Sequence, residues 1–249
     1  MQAQSLIQVF LFTVIALLTF RVEAQRTDHF SGWAAVFSTI KINHSVAIHF
    51  DGQLRSSDEW QQVQTILIRP GINVRVAGNQ IATCGYAFIN HRRIINEIGG
   101  WGPEHRIWEQ YVFNQSFSVS RHFTTLQHRL RFEQRFISKS VIHNDELKTD
   151  EYAFSQRLRY FTRCIFPLKP VNKFEKGTFV SLQNELMLNI SNSSATNGKF
   201  FDQNRAYTSL GYRFSSSFDL EMGYMYQFIS GKTGNTNNNV IQLAGYVRL

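Results

Sequence analysis

The stretch that decides the fold of this chain is Leu126-Gln127-His128-Arg129-Leu130-Arg131-Phe132-Glu133-Gln134-Arg135-Phe136. Its odd positions are all charged or amide side chains, whereas four of its six even positions are Leu or Phe. Helical spacing from Leu126 would bury Arg129 and Glu133 beside Leu130, so a period of two residues fits and a helical period does not. The stretch therefore predicts a β-strand with one apolar and one charged face.

The same alternation recurs along the chain, for example in residues 46–55, 180–190 and 218–228. We expect strands near residues 33–42, 45–55, 62–76, 80–90, 103–114, 122–136, 151–165, 177–190, 202–214, 218–228 and 239–249. Tight turns are predicted at one end, and long polar loops at residues 91–102, 137–150, 191–201 and 229–238. No segment repeats at a fixed period, which disfavours a propeller or a solenoid.

Composition supports a β protein and excludes several other classes. The 249 residues include 22 Phe and nine Tyr, which favour strands, and only four Pro and two Cys, which exclude collagenous and disulfide-rich scaffolds. With 43% hydrophobic and 18% charged residues, the chain is neither a disordered tail nor a bundle of membrane helices.

The first residues have the pattern of an export signal. Residues 6–20 are mostly apolar, and Val22-Glu23-Ala24 has the small-residue spacing of a cleavage site, although no Lys or Arg precedes the run. We therefore predict a signal peptide over residues 1–24, cleaved after Ala24, and a barrel domain over residues 25–249. Export argues against nucleic acid as the partner for the net charge of +8. Anionic lipid headgroups or a solvated basic surface remain as explanations.

Strand number decides between a soluble and a membrane barrel. Ten or more strands enclose a space that apolar side chains would leave partly void, whereas a polar lining holds water and ion pairs. We therefore expect an all-β fold: a single antiparallel transmembrane β-barrel of about 10–12 strands, with short periplasmic turns and longer extracellular loops. Bacterial single-chain barrels normally have even strand counts, whereas eleven segments are predicted above. We therefore expect either twelve strands, with a short extra strand at residues 25–33, or ten, if residues 33–42 do not form a full spanning strand.

The predicted cellular location is the bacterial outer membrane. Residues 241–249 end the chain inside a strand with an apolar residue at every odd position, except Gly245, like the C-terminal assembly strand of outer-membrane proteins. The expected partners are outer-membrane lipid and lipopolysaccharide, and the barrel-assembly machinery during insertion.

Several phrases of the sequence together resemble the domain-of-unknown-function family 2490, found as exported bacterial proteins. They are Leu67-Ile68-Arg69-Pro70-Gly71, Gly85-Tyr86-Ala87-Phe88, Glu104-His105-Arg106-Ile107-Trp108-Glu109-Gln110, His128-Arg129-Leu130-Arg131-Phe132-Glu133-Gln134-Arg135-Phe136, Arg157-Leu158-Arg159-Tyr160, Gln183-Asn184-Glu185-Leu186, Phe201-Asp202-Gln203-Asn204-Arg205 and Gly223-Tyr224-Met225-Tyr226. The resemblance spans nearly the whole mature chain. It implies an outer-membrane-type barrel and no particular reaction.

If the apolar faces meet lipid, the charged faces line the lumen. The predicted lumen cluster comprises Glu104, Arg106, Arg129, Arg131, Glu133, Arg135, Arg157, Arg159, Glu185 and Arg205. One interpretation is a structural plug of ion pairs that holds the strand register. The other is an anion-attracting constriction, because arginines outnumber carboxylates, and its partner would be a small anionic solute.

A second polar group follows the Ser/Asn-rich loop. Asp202, Gln203 and Asn204 enter a strand there, and they either bind a solute at the barrel mouth or satisfy loop backbone groups.

We assign no catalytic residue, metal ligand or cofactor from the sequence. His122, His128, Ser118 and Ser120 lie close together, but the chain has no G-x-S-x-G nucleophile elbow. The leading hypothesis is a scaffold or a narrow small-solute pore rather than an enzyme. A lipid-modifying outer-membrane enzyme and a soluble periplasmic ligand-binding β-barrel are the alternatives.

Overall fold

The computed structural model describes residues 26–119 and 122–249, which form eleven β-strands. The strands are β1 (Arg26–Lys41), β2 (Val46–Ser56), β3 (Val63–Ala77), β4 (Gln80–Ile95), β5 (Ile98–Val119), β6 (His122–His143), β7 (Glu146–Pro167), β8 (Gly177–Ser191), β9 (Phe201–Ser215), β10 (Phe218–Ser230) and β11 (Asn235–Arg248). They close into one barrel, which confirms the predicted all-β barrel of 10–12 strands. The predicted signal peptide and Ser120 lie outside the described residues.

The barrel closes with a parallel pair. Each strand from β1 to β11 is antiparallel to the next, but β1 and β11 run side by side in the same direction, from Arg26↔Asn235 to Thr39↔Arg248. An odd strand count requires one such seam, because the first and last strands of an odd up-and-down series point the same way. The expectation of ten or twelve strands is therefore wrong, and the number is eleven.

Two of the predicted long loops are instead hairpins. Asn96 and Glu97 have φ of 47° and 69°, and Asn144 and Asp145 have φ of 51° and 58°. Two consecutive left-handed residues form the tight turn that matches strand twist. Residues 91–102 and 137–150 are therefore mostly strand, and the predicted loops there are wrong. In these strand ends solvent reaches both faces, so polar residues occupy both faces and the sequence there does not alternate between apolar and polar residues.

The two faces of the sheet differ as the period of two requires. Leu130 and Tyr224 face outward and are 48% and 42% exposed, while Arg131 and Glu133 face inward and are 1% and 0% exposed. A soluble barrel would place its apolar residues inside and its charges outside. The charged interior and apolar exterior observed here are the reverse of that arrangement.

A loop covers part of one rim of the barrel. We call the end that carries Arg26 the N-terminal rim and the end that carries Arg248 the C-terminal rim. Residues 168–176 fold over the C-terminal rim, where the Phe174 ring packs edge-on against Phe179 and its carbonyl accepts a hydrogen bond from Arg213 (2.8 Å). The described residues also include two short 3-10 helices, Asp58–Trp60 and Ser193–Ala195, and none of their helices is long and apolar enough to cross a membrane.

Candidate functional site

Glu133 lies at the centre of the charge network inside the barrel. Its carboxylate accepts hydrogen bonds from Arg157 Nη2 and Arg159 Nη1, both at 2.7 Å, and from Arg106 Nη1 at 3.3 Å. The register places Trp108 on β5 and Arg157 on β7 directly opposite it. Arg106 and Arg159 lie diagonally to Glu133 on the neighbouring strands, within reach of their long side chains.

Glu104 forms a second centre, closer to the N-terminal rim. Its Oε1 accepts hydrogen bonds from Arg106 Nε and Arg135 Nε, both at 2.6 Å. His91 Nε2 lies 3.7 Å from Glu104 Oε2, and His91 Nδ1 is 3.0 Å from the Thr65 hydroxyl. These contacts hold the imidazole in the barrel wall.

Glu185 on β8 is the third centre. Its Oε1 accepts hydrogen bonds from Arg129 Nη2 at 2.8 Å and Arg159 Nη2 at 2.7 Å, and Arg205 Nη1 lies 3.6 Å from its Oε2. Arg159 therefore bridges Glu133 and Glu185. The structure brings nine of the ten predicted cluster residues into one connected network. The tenth, Arg131, touches it only at the 4.0 Å separation from Glu133.

The three predicted mouth residues do not act together. The pairing of β8 with β9 shifts between Met187 and Leu188, so Asp202 is an extra residue that turns inward beside Gln203. Asp202 accepts a hydrogen bond from Arg157 Nη1 at 2.7 Å and thus belongs to the charge network.

Asn204 lies instead on the outer face, in a mutual amide pair with Asn184 at 3.2 Å. The bulge turns Asp202 inward beside Gln203 while Asn204 stays on the outer face, so the grouping of Asp202, Gln203 and Asn204 at the mouth is corrected.

A partly enclosed cavity of about 270 Å³ lies in the half of the lumen nearest the N-terminal rim. None of its eighteen lining residues, all within the described chain, is acidic. Seven of them are arginines: Arg55, Arg69, Arg106, Arg135, Arg157, Arg159 and Arg205. The guanidinium carbons of Arg55 and Arg205 lie 4.0 and 5.0 Å from the ring centre of Trp33. Such contacts hold both cations at the cavity wall.

Some cavity arginines lack a full set of carboxylate or hydrogen-bond partners. Arg55 hydrogen-bonds Gln53 (2.6 Å) and has no carboxylate within 4.0 Å among the described residues. Arg69 pairs with Asp51 at 2.9 Å, but its buried Nε has no hydrogen-bond partner. The carboxylates of the network lie behind the arginines rather than in the cavity. The cavity therefore has a positive lining.

Beneath the cavity, side chains fill the lumen. Trp108 and Met187 are 0% exposed, and Arg131 packs over the Trp108 ring at 4.7 Å. Nearer the C-terminal rim, Arg163 pairs with Glu221 at 2.7 Å. These buried side chains occupy the middle of the lumen.

Sequence reasoning missed part of the site. Trp33, Asp51, Arg55 and Arg69 line or support the cavity, but they were not in the predicted cluster. Asp51 and Arg55 occupy polar odd positions of residues 46–55, so the period of two in that segment could have placed both on the inner face.

The residues considered for chemistry are dispersed. His122 Nδ1 donates to the Pro167 carbonyl (2.8 Å), and His128 Nδ1 is 2.8 Å from the Tyr160 hydroxyl on the outer face. Across residues 26–119 and 122–249, no three His, Cys, Asp or Glu side chains are grouped to hold a metal ion.

Comparison with known proteins gives the family. No curated protein matches the chain significantly. Among solved structures, the NanC porin in a rhombohedral crystal form is similar, with 8% identity and a TM-score of 0.49 over 86% of this chain and 96% of that one. The model of the family described as "Protein of unknown function (DUF2490)" matches residues 30–238, and the chain therefore belongs to that family, as the sequence resemblance indicated.

Proposed function

We propose that this protein is an outer-membrane barrel that captures a small organic anion in the arginine-lined cavity. The observation that carries the proposal is a cavity lined by seven arginines and no carboxylate, inside a barrel with an apolar exterior. Arginine forks bind carboxylate and phosphate groups in a bidentate manner.

Two aromatic clusters on the outer face support the membrane placement. His105 packs against Tyr86 and Tyr152 on the N-terminal side, with ring centres 6.0 and 5.3 Å away, and His128 stacks on Tyr160 on the C-terminal side. Tyr152 and Tyr160 are eight residues apart on β7, which is about 26 Å along the strand. Because the strands of such barrels are tilted by about 40° from the barrel axis, the two rings lie about 20 Å apart along that axis. This spacing suits the interfacial girdles of an outer-membrane barrel, whose apolar band is about 25 Å tall.

Orientation follows from the last strand. With the end of β11 in the periplasm, as is usual for outer-membrane barrels, the C-terminal rim is periplasmic and the N-terminal rim faces lipopolysaccharide and the exterior. The cavity is then supplied from outside. The filled layers at Trp108 and Arg131 separate it from the periplasm.

The cavity size restricts the ligand class. A volume of about 270 Å³ is below the 300–1,000 Å³ usual for drug-sized ligands, so a compact metabolite fits. The uncompensated charge of Arg55 and its neighbours favours a ligand with two or more acid groups. We therefore propose small di- and tricarboxylates or phosphorylated compounds of similar size.

Binding is tested by titration calorimetry of the refolded protein with citrate, inorganic phosphate and uncharged glucose. We expect heat from the anions and none from glucose. Arg55→Gln should weaken citrate binding about tenfold or more, because it removes a cavity charge that has no carboxylate partner. Lys139→Gln, an equal charge change on an exposed hairpin, is the matched control. Equal loss in both variants, or binding of no anion, contradicts the proposal.

Membrane residence and conduction are separate questions. Cell fractionation with heat-modifiable gel mobility separates a membrane barrel from the soluble periplasmic alternative. Planar-bilayer recordings should show little steady conductance, because Trp108, Arg131 and Met187 fill the lumen. A large ohmic conductance would favour the open-pore interpretation instead.

A further inference from the structure

A line of polar side chains crosses the apolar outer face. Cys84 on β4, Glu109 on β5, Gln134 on β6 and Gln156 on β7 all face outward, with Cys84 opposite Glu109 and Gln134 opposite Gln156 in the strand register. Glu109 Oε1 accepts a hydrogen bond from Gln134 Nε2 at 3.3 Å. We call these four residues the outer polar line.

The outer polar line lies between the two aromatic clusters. Along β7, Gln156 is midway between Tyr152 and Tyr160, and along β5, Glu109 lies between His105 and Tyr111. If the barrel spans the membrane as proposed above, this is the depth of the hydrocarbon. An ionisable side chain at that depth is costly, and it calls for a functional explanation with a named partner.

A second outward polar pair shows how such groups are satisfied within one barrel. Asn184 and Asn204 exchange hydrogen bonds at 3.2 Å, and Asn204 also donates to the Glu185 carbonyl at 3.3 Å. In contrast, Glu109 Oε2 accepts no hydrogen bond from the described residues, and Gln134 Nε2 donates only one of its two N–H groups. The Glu109–Gln134 pair is thus only half satisfied within one chain.

An apolar groove of about 510 Å³ runs beside the pair. Its floor includes the small outward side chains of Ala82 and Cys84, and its walls include Ile72, Tyr111 and Phe132. Because small residues lie between large ones, the groove has room beside Glu109 for apolar side chains of a second molecule.

We infer that the outer polar line is the interface with a second copy of this chain. A carboxylate acceptor beside an amide donor is self-complementary: a two-fold axis through the pair places each Glu109 against the partner's Gln134. Such isologous contacts are the usual basis of homodimers. The groove then receives apolar side chains of the other copy, and the second N–H of each Gln134 donates to Oε2 of the partner's Glu109.

Native cysteines provide the test. Cys84 is exposed beside Glu109, whereas Cys164 is only partly exposed on the outer face, nearer the C-terminal rim. In membrane vesicles, a bis-maleimide reagent should crosslink the protein into dimers through Cys84. Cys84→Ser should abolish the product and Cys164→Ser should retain it. Sedimentation in detergent gives the mass independently of the reagent.

Two substitutions distinguish a specific interface from chance collision. Glu109→Leu and Gln134→Leu should each reduce the dimer about tenfold. Asn184→Leu, which also removes an outward amide, should leave it unchanged. Monomers in vesicles, or dimers indifferent to Glu109→Leu and Gln134→Leu, would overturn the inference, and lipid would then be the occupant of the groove. Recovery of the protein in the aqueous fraction would instead refute the membrane placement itself.

Discussion

Removal of the Glu133 charge should destabilise the barrel strongly. The Glu133 carboxylate is fully buried and accepts four hydrogen bonds from Arg106, Arg157 and Arg159, at 2.7 to 3.3 Å. Glu133→Gln preserves the volume but leaves three guanidinium groups with a neutral neighbour. Breaking a buried ion pair on one side costs about 3–5 kcal/mol.

The network moves this estimate toward its lower end. Arg106 retains Glu104, Arg157 retains Asp202 and Arg159 retains Glu185. Because each arginine keeps one carboxylate, we expect the free energy of unfolding to fall by about 3 kcal/mol rather than by the sum of four charged hydrogen bonds.

The measurement is denaturant unfolding of protein refolded into lipid vesicles, followed by tryptophan fluorescence. Glu151→Gln is the control, since Glu151 pairs with Lys139 on an exposed hairpin where both side chains are more than half exposed. Exposed pairs contribute at most about 1 kcal/mol. If Glu133→Gln is no more destabilising than Glu151→Gln, the ion-pair network does not stabilise the barrel.

Other predictions test single features. Asp202→Asn should destabilise the barrel by about 1–3 kcal/mol in the same assay, because Asp202 faces Arg157 in the lumen; a neutral result would contradict its inward position. Gly223→Ala should reduce the folded yield measured by gel mobility, since a Cβ there would lie 2.2 Å from the Thr208 carbonyl oxygen; normal yield would show that β9 and β10 can separate. The hydrogen bond with His29 lowers the pKa of Asp58 below its usual 3.8, so the stabilisation that the ionised Asp58 gives to this loop is lost as the pH falls through the lowered pKa. Fluorescence of the adjacent Trp60 should therefore show a transition in strong acid, and Asp58→Asn should abolish that transition.

Much of the site could be predicted because charge and alternation are local properties. The period of two assigns Glu104, Arg129 and Glu185 to the charged face, and the structure places them inside the barrel. Their partners could not be predicted, because Glu133 and Arg106 are 27 residues apart and meet only through the register of β5 with β6. The alternation fails at Asp202, where one extra residue in β9 puts the consecutive residues Asp202 and Gln203 on the same inner face.

The order of side chains along each strand already specified an all-β chain with one apolar and one charged surface. A period of two is encoded in the local sequence and requires no distant contact. Closure of the sheet decided the rest. Closure through the parallel seam between β1 and β11 allows an odd count of eleven strands, and the closed lumen brings Trp33, Arg55 and Arg205 from three strands around one cavity. These features depend on contacts between residues far apart in the chain, which local patterning does not determine.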